Sequence, residues 1–225
     1  MDRTAWLRER RRMTEERFDT LHAATYDQND VPITPTHRRF VTNLIGRCPP
    51  GGRILDAACG TGKYFAMLLD AGRQPVGADQ SGGMLAQARR KFPDVATEKV
   101  GLQELSYTAE FDGVMCVDAM ENVFPEDWPP VLANLRQALR PGGHLYLTVE
   151  LIDEGELEAV FAEATAQGLR VVRGEHTSRG GGYHYYPQLD QVAAWVRDAG
   201  LRVIEDGHSE GDGYGYYHLL SRSLV

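Results

Sequence analysis

Features of secreted, metal-binding and membrane proteins are scarce in this 225-residue sequence. Its three cysteines, Cys48, Cys59 and Cys116, are widely spaced and form no CxxC pair, so neither a disulfide framework nor a zinc cluster is predicted. No stretch reaches the roughly 18 consecutive apolar residues of a membrane span, and the charged start "MDRTAWLRERRRMTEERF" lacks the apolar run of a signal peptide. These absences predict a soluble, cytoplasmic protein with reduced thiols and no bound metal.

Basic charge is also scarce. The chain has 24 Lys and Arg residues against 32 Asp and Glu residues, which gives a formal net charge of -8. Proteins that bind nucleic acids attract the phosphate backbone through a basic face, so a nucleic-acid partner is disfavoured. The length suits one α/β domain with additions.

The middle of the chain alternates between strand-like and helix-like patterns. Apolar or β-branched runs occur at 53–58, 75–79, 95–100, 111–117 and 143–150. Helical periodicity occurs between them at 62–71, 82–91 and 128–140. Nearly continuous apolar strands separated by helices predict an α/β fold with a doubly wound, mostly parallel sheet that is covered on both faces.

The two ends of the chain give further elements. Spaced apolar residues over 3–23 predict an amphipathic helix or helix pair, and Thr34 followed by Pro35 predicts the start of another helix. After Glu150, the patterns predict a helix at 154–167, a short strand at 169–173, a flexible Gly-rich loop at 179–182, a helix at 188–199 and strands at 201–206 and 214–222.

The stretch "ILDAACGTG" at 54–62 carries the first sign of a ligand site. Gly60 and Gly62 allow a tight turn after a strand, and the helix that follows offers free N–H groups. Asp79 follows the next strand, where an acid can accept hydrogen bonds from ribose hydroxyls. Because the carboxyl ends of parallel strands share one edge, these residues predict a site for an adenosine-bearing ligand.

Three such ligands compete for the glycine turn. A phosphate-binding P-loop is excluded because Ala57 stands at its first glycine and Tyr64 follows Lys63. A dinucleotide fingerprint needs a third glycine where this chain has Phe65, which weakens NAD without eliminating it. S-adenosylmethionine (SAM) carries no phosphate and does not need that glycine.

Four segments resemble, in order, the motifs of class I SAM-dependent methyltransferases: "ILDAACGTG", "PVGADQSGGMLAQAR", "FDGVMCVDAMENV" and "LRPGGHLYLTVE". The likeness covers about residues 35–150, and "YHYYPQLDQVAAWVRDAGLRVIE" resembles the last helix and strand of the family. The resemblance implies a seven-stranded Rossmann-like sheet, SAM as cofactor, a methyltransferase domain at 35–225 and a helical lid at 1–34.

The resemblance also implies roles for individual residues at the cofactor. Asp56 corresponds to the acid that orients the methionine amino group, and Asp79 to the acid that binds the ribose. Gly101 stands where the family often has an adenine-reading Asp, so backbone groups near Leu102 and Gln103 must substitute. The full cofactor set is Tyr26, Asp56, Ala57, Gly60, Gly62, Asp79, Gln80, Met84, Leu102, Gln103, Val117 and Asp118.

The acceptor side is expected above the strand ends. Glu121 and His184 are the candidate catalytic residues, and Tyr185, Tyr186 and Asn122 are candidate acceptor contacts; Asn122 stands where many relatives have His. The expected reaction is in-line methyl transfer to an O, N or C atom of a small molecule, in a monomer or a homodimer. The alternatives are methylation of a protein or an RNA and a non-catalytic SAM-binding module.

Overall fold

The computed structural model describes residues 2–29, 32–177, 182–210 and 215–225. Its helices are α1 (Arg3–Arg17), α2 (Tyr26–Asn29), α3 (Pro35–Arg47), α4 (Phe65–Asp70), α5 (Gly82–Lys91), α6 (Trp128–Ala138), α7 (Glu154–Ala166) and α8 (Leu189–Asp198). Its strands are β1 (Arg53–Ala57), β2 (Gln74–Asp79), β3 (Ala96–Lys99), β4 (Phe111–Cys116), β5 (Leu139–Leu151), β6 (Glu175–Thr177), β7 (Tyr183–Tyr185), β8 (Leu201–Glu210) and β9 (Gly215–Ser223). A π-helical turn over Phe18–His22 extends α1.

Seven of the strands form one mixed sheet in the order β3-β2-β1-β4-β5-β9-β8. The pairs from β3 to β5 are parallel, whereas β9 runs antiparallel to both β5 and β8. β6 and β7 form a separate antiparallel pair. The predicted doubly wound, mostly parallel seven-stranded sheet is confirmed. None of the helices within the described ranges has the length and apolar character that crossing a membrane would require.

Most element boundaries agree with the sequence prediction, but the short strand at 169–173 is wrong. There the backbone N–H of Val172 donates to the Glu175 carboxylate at 2.6 Å, and the Val172 carbonyl accepts from Glu175 N at 3.1 Å. These local bonds form a turn, and the strand begins only at Glu175. The Gly-rich loop predicted at 179–182 lies outside the described residues except for Gly182.

Helices cover both faces of the sheet and fix its edge. On one face α6 buries Trp128 and Leu132 against the strands, and on the other α3 buries Phe40, whose ring stacks on Tyr146 at 5.5 Å between centroids. The predicted start of α3 is confirmed, because the Thr34 side chain accepts the backbone N–H of His37. This packing holds the carboxyl ends of the parallel strands together at one edge, beneath the N-terminal helices.

Candidate active site

A cavity of about 520 Å³ lies at the carboxyl edge of the parallel strands. Residues that follow β1, β2 and β4, or that lie near the end of β5, form its floor, as the strand order predicts. The sequence-predicted site residues that line it are Tyr26, Gly60, Asp79, Gln80, Met84, Leu102, Gln103, Asp118, Glu121, Asn122 and His184. Thr14, Arg17 and Phe18 line it from the N-terminal helices. The fold therefore brings together most of the predicted site.

Six predicted residues do not line the cavity: Asp56, Ala57, Gly62, Val117, Tyr185 and Tyr186. Tyr185 and Tyr186, the candidate acceptor contacts, lie outside the cavity lining, and their assignment stays a prediction. Tyr185 is buried with its ring edge-on to Trp128, and the Tyr186 hydroxyl lies 3.1 Å from His184 Nδ1. Tyr183 and Gly182 line the cavity instead.

The glycine turn after β1 is tied to the end of β2 by Asp79. Gly60 has a φ of 53° and donates its N–H to Asp79 Oδ2 at 2.8 Å, while Ser81 N donates to Oδ1 at 2.8 Å. Burial raises the pKa of Asp79 even though these two backbone donors oppose the shift. A carboxylate offers about four acceptor sites, so about two remain for the hydroxyls of a bound ribose. The acid therefore lies at the cavity surface with acceptor capacity left for a ligand, and its role at a ribose stays a prediction.

Asp56 lies in β1, behind the cavity wall. Its side chain is buried, and its Oδ2 atom has no hydrogen-bond partner among the described residues. Burial, followed by repulsion from Asp79 and Asp118, raises the pKa of Asp56 to about 8. The structure thus places this acid where it can influence the cavity through its charge, although it does not form the cavity surface.

Three further carboxylates face the cavity beyond the glycine turn: Asp118, Glu121 and Glu150. Glu121 is buried; its Oε1 accepts from Asn122 Nδ2 at 3.2 Å, and its Oε2 has no partner among the described residues. Burial, with repulsion from Glu150 and Asp118, raises the pKa of Glu121 well above its usual value. Glu150 Oε2 lies 2.8 Å from His184 Nδ1. Sequence reasoning missed Glu150, although an acid near the end of a predicted parallel strand was a usable signal.

Asp118 is held by a histidine that the sequence analysis did not single out. His37 Nε2 lies 3.0 Å from Asp118 Oδ1, and His37 Nδ1 lies 2.7 Å from the Thr34 hydroxyl. Asp118 has a φ of 52°, a conformation that costs about 1–2 kcal/mol for an L-residue, and its N–H donates to Thr148 Oγ1 at 2.8 Å. Helix α3 brings His37 to the loop after β4, and no motif in the sequence links the two.

A second histidine, His218 on β9, lies beneath this pair. The hydroxyls of Tyr146 and Ser209 each lie 2.8 Å from one of its ring nitrogens. Burial, together with repulsion from His37, lowers the pKa of His218 to about 3, so the ring is neutral at physiological pH. Its polar atoms are satisfied, which suits a supporting role beneath the site.

Four carboxyl groups at the cavity surface favour a positively charged group on the ligand, and Arg17 and Lys63 line the same cavity. Asp79, Asp118, Glu121 and Glu150 place four carboxyl groups at the surface of the cavity. Such groups repel phosphate and stabilise positive charge. Within the described ranges, no group of three or more His, Cys, Asp or Glu side chains is arranged to hold a metal ion.

Comparison with known proteins identifies the family. A family model described as a methyltransferase domain matches residues 54–143. The chain is 30% identical to the demethylmenaquinone methyltransferase of Renibacterium salmoninarum over 197 residues, which cover 81% of this chain and 81% of that protein. It is 28% identical to the ubiquinone biosynthesis O-methyltransferase of Xanthomonas campestris over 176 residues, which cover 68% of this chain and 64% of that protein.

Solved structures share the fold. One is the 1,6-didemethyltoxoflavin-N1-methyltransferase of Burkholderia thailandensis with bound 1,6-didemethyltoxoflavin and S-adenosylhomocysteine (SAH). The similarity has a TM-score of 0.73 at 18% identity and covers 97% of this chain and 90% of that one. The similarity to the Renibacterium protein over most of both chains shows the family, and the chain belongs to the class I SAM-dependent methyltransferases.

Proposed function

We propose that the cavity binds SAM beside a small-molecule acceptor and that the protein transfers the methyl group of SAM to an O, N or C atom of that acceptor. The observation that carries this proposal is Asp79, which anchors the glycine turn and keeps acceptor capacity for a ribose. The similarity to a demethylmenaquinone methyltransferase and to an O-methyltransferase of ubiquinone biosynthesis supports a small-molecule acceptor.

The remaining cofactor contacts follow from the cavity lining. Gln80 and Met84, after β2, and Leu102 and Gln103, after β3, provide surfaces for the adenine. The carbonyls of Leu102 and Gln103 both accept from Asn134 Nδ2 at 3.1 Å, which fixes this turn in place. Asp118, held by His37, lies along the bound cofactor. Before SAM binds, Asp56 holds a proton at neutral pH, and the positive charge of SAM favours its ionised form, which then attracts the amino group.

The chain's own contribution to the reaction is alignment and exclusion of water. SAM supplies an already activated methyl group, so the protein must hold the acceptor in line with it. Well-oriented intramolecular reactions reach effective molarities of about 10⁵–10⁸ M, and positioning can therefore supply much of the rate. The buried carboxyl of Glu121 is the group that could take a proton from an acceptor that must lose one.

Calorimetry tests the cofactor, and isotope transfer tests the acceptor class. SAH should bind with a dissociation constant in the micromolar range, whereas NAD should give no heat. Methyl-labelled SAM should transfer its label to a small-molecule extract and not to protein or RNA fractions. Labelling of protein or RNA alone would favour a macromolecular acceptor, and SAH binding without any transfer would favour a non-catalytic module.

We also propose that residues 1–34 form a lid over the cofactor. Asp19 accepts a hydrogen bond from the Ser81 hydroxyl at 2.5 Å and from Gly83 N at 3.0 Å, at the start of α5. Asp27 accepts from the Thr61 hydroxyl at 2.5 Å and pairs with Lys91 at 2.8 Å. These contacts fasten the N-terminal helices across the glycine turn and the end of β2.

A substitution at Gly83 should loosen this lid. A Cβ at Gly83 would lie 2.7 Å from the carbonyl oxygen of Asp19, so Gly83→Ala should push the lid away and raise the dissociation rate of SAH about ten-fold. Gly82→Ala is the matched control, because the nearest atoms there are 3.7 Å away on the Lys99 side chain. Stopped-flow measurement of SAH release checks this, and equal rates in the two variants would contradict the lid.

The cytoplasmic location and the choice between monomer and homodimer stay predictions.

A further inference from the structure

We propose that the acceptor is an amine whose protonated nitrogen is first held by Glu121 and Glu150. One of these carboxylates then takes a proton, and the freed lone pair bonds to the methyl carbon of SAM as the C–S bond breaks and SAH leaves. This inference rests on the proposed function and specifies the substrate of the same cavity. The part of the cavity concerned, called here the acceptor chamber, is lined by Glu121, Glu150, Tyr183, His184 and Tyr216.

The first observation is the unpartnered oxygen of Glu121. The residue is only 6% exposed, lines the cavity, and leaves Oε2 without a hydrogen-bond partner among the described residues. A buried carboxyl oxygen without a partner costs about 1–3 kcal/mol or more, and such groups are usually satisfied. A hydrogen-bond donor on the bound acceptor would supply the missing partner.

The charge around Glu121 distinguishes an ammonium from a neutral hydroxyl. Glu150 and Asp118 repel the ionised form of Glu121, and Cys116 and Tyr216 are the other titratable groups coupled to it. The basic side chains that line the same cavity in the described part of the chain are Arg17, His37, Lys63 and His184. Of these, His184 lies 2.8 Å from Glu150. A cation relieves the repulsion among the carboxylates, whereas a hydroxyl provides only a hydrogen bond.

The remaining walls suit an amine with an apolar body. Tyr183 is buried, and its hydroxyl donates to Glu175 at 2.7 Å, so its ring is fixed and its polar atom is already satisfied. Tyr216 stays protonated, because burial and the neighbouring carboxylates raise its pKa. Aromatic rings next to carboxylates form a favourable environment for an organic cation.

Matched sets of small probes test the assignment on the SAH-loaded protein. The first set is phenethylamine, phenethyl alcohol and phenylacetate, and the second is hexylamine, hexanol and hexanoate. Each amine should bind at least about ten-fold more tightly than its alcohol and carboxylate partners, as measured by calorimetry, which corresponds to about 1.4 kcal/mol. The isosteric substitutions Glu121→Gln and Glu150→Gln should each reduce that preference, and Glu163→Gln on the exposed side of α7 should not.

The results distinguish a failure of the amine assignment from a failure of the proposed methyltransferase function. Retained SAH binding by the Gln variants shows that they are folded. Failure of SAH to bind the unaltered protein counts against the proposed function. If SAH binds, three results overturn the amine assignment alone. These are a preference for alcohols or carboxylates, no binding of either amine below about 10 mM, and an amine preference that survives both Gln substitutions.

Discussion

Replacement of Asp79 by alanine is expected to weaken SAH binding at least about 100-fold, or about 2.7 kcal/mol, because hydrogen bonds to a charged group contribute about 1.5–3 kcal/mol each. The variant loses the acceptors proposed for the ribose. It also leaves the N–H groups of Gly60 and Ser81, now bonded to the carboxylate at 2.8 Å, without their partners. The glycine turn and the start of α5 then lose the side chain that connects them, so the cavity changes shape as well as polarity.

Calorimetry with SAH measures this loss, and circular dichroism shows whether the variant folds. Asp70→Ala is the matched control, because it removes an exposed carboxylate at the end of α4 that does not line the cavity. Its SAH affinity should equal that of the unaltered protein. Asp79→Asn is the second comparison. It keeps one acceptor oxygen but points an amide N–H₂ at a backbone donor, so its affinity should fall between the other two. Full SAH affinity in a folded Asp79→Ala protein would contradict the ribose assignment.

Most of the predicted residues that line the cavity share one property, since they follow strands of the parallel sheet; Tyr26 on α2 and His184 on β7 are the exceptions. Strand order places the ends of β1, β2 and β4 at one edge, and this is enough to bring Gly60, Asp79 and Asp118 to one cavity. The glycine turn has a local signature as well. This part of the site could therefore be predicted before any tertiary contact was known.

Unlike Glu150, which lies near the end of a predicted parallel strand, His37 was missed because it reaches the cavity through tertiary packing. His37 lies on α3, which packs on the face of the sheet opposite α6. At Val172, hydrogen bonds with Glu175 form a turn where hydrophobic periodicity predicted a strand. The sequence could not decide whether Tyr185 lines the cavity, because an aromatic cluster beside glycines fits a binding loop and a buried strand equally well. Only the packing against Trp128 distinguishes the two.

Asp56→Asn is expected to stabilise the protein without cofactor, and increasingly so as the pH rises. The pKa of Asp56 is raised from 3.8 to about 8 by burial first and then by repulsion from Asp79 and Asp118. Between these values the folded chain holds a proton that the unfolded chain has released, so the free energy of unfolding falls as the pH rises from about 4 to about 8. Asparagine stays neutral at every pH and avoids this loss, which is on the order of 3–5 kcal/mol at pH 8.

Thermal melting at two pH values checks the sign as well as the size. The variant should melt about 10 °C above the unaltered protein at pH 8, and the two should agree within about 2 °C at pH 4. Asp70→Asn, an exposed acid on α4, should show no such pH-dependent gap. The increase in melting temperature on SAM binding should be larger for the unaltered protein than for the variant, because the positive charge of SAM stabilises ionised Asp56. A gap of equal size at pH 4 and pH 8, or equal stabilisation of both proteins by SAM, would show that Asp56 does not couple stability to the charge of the ligand.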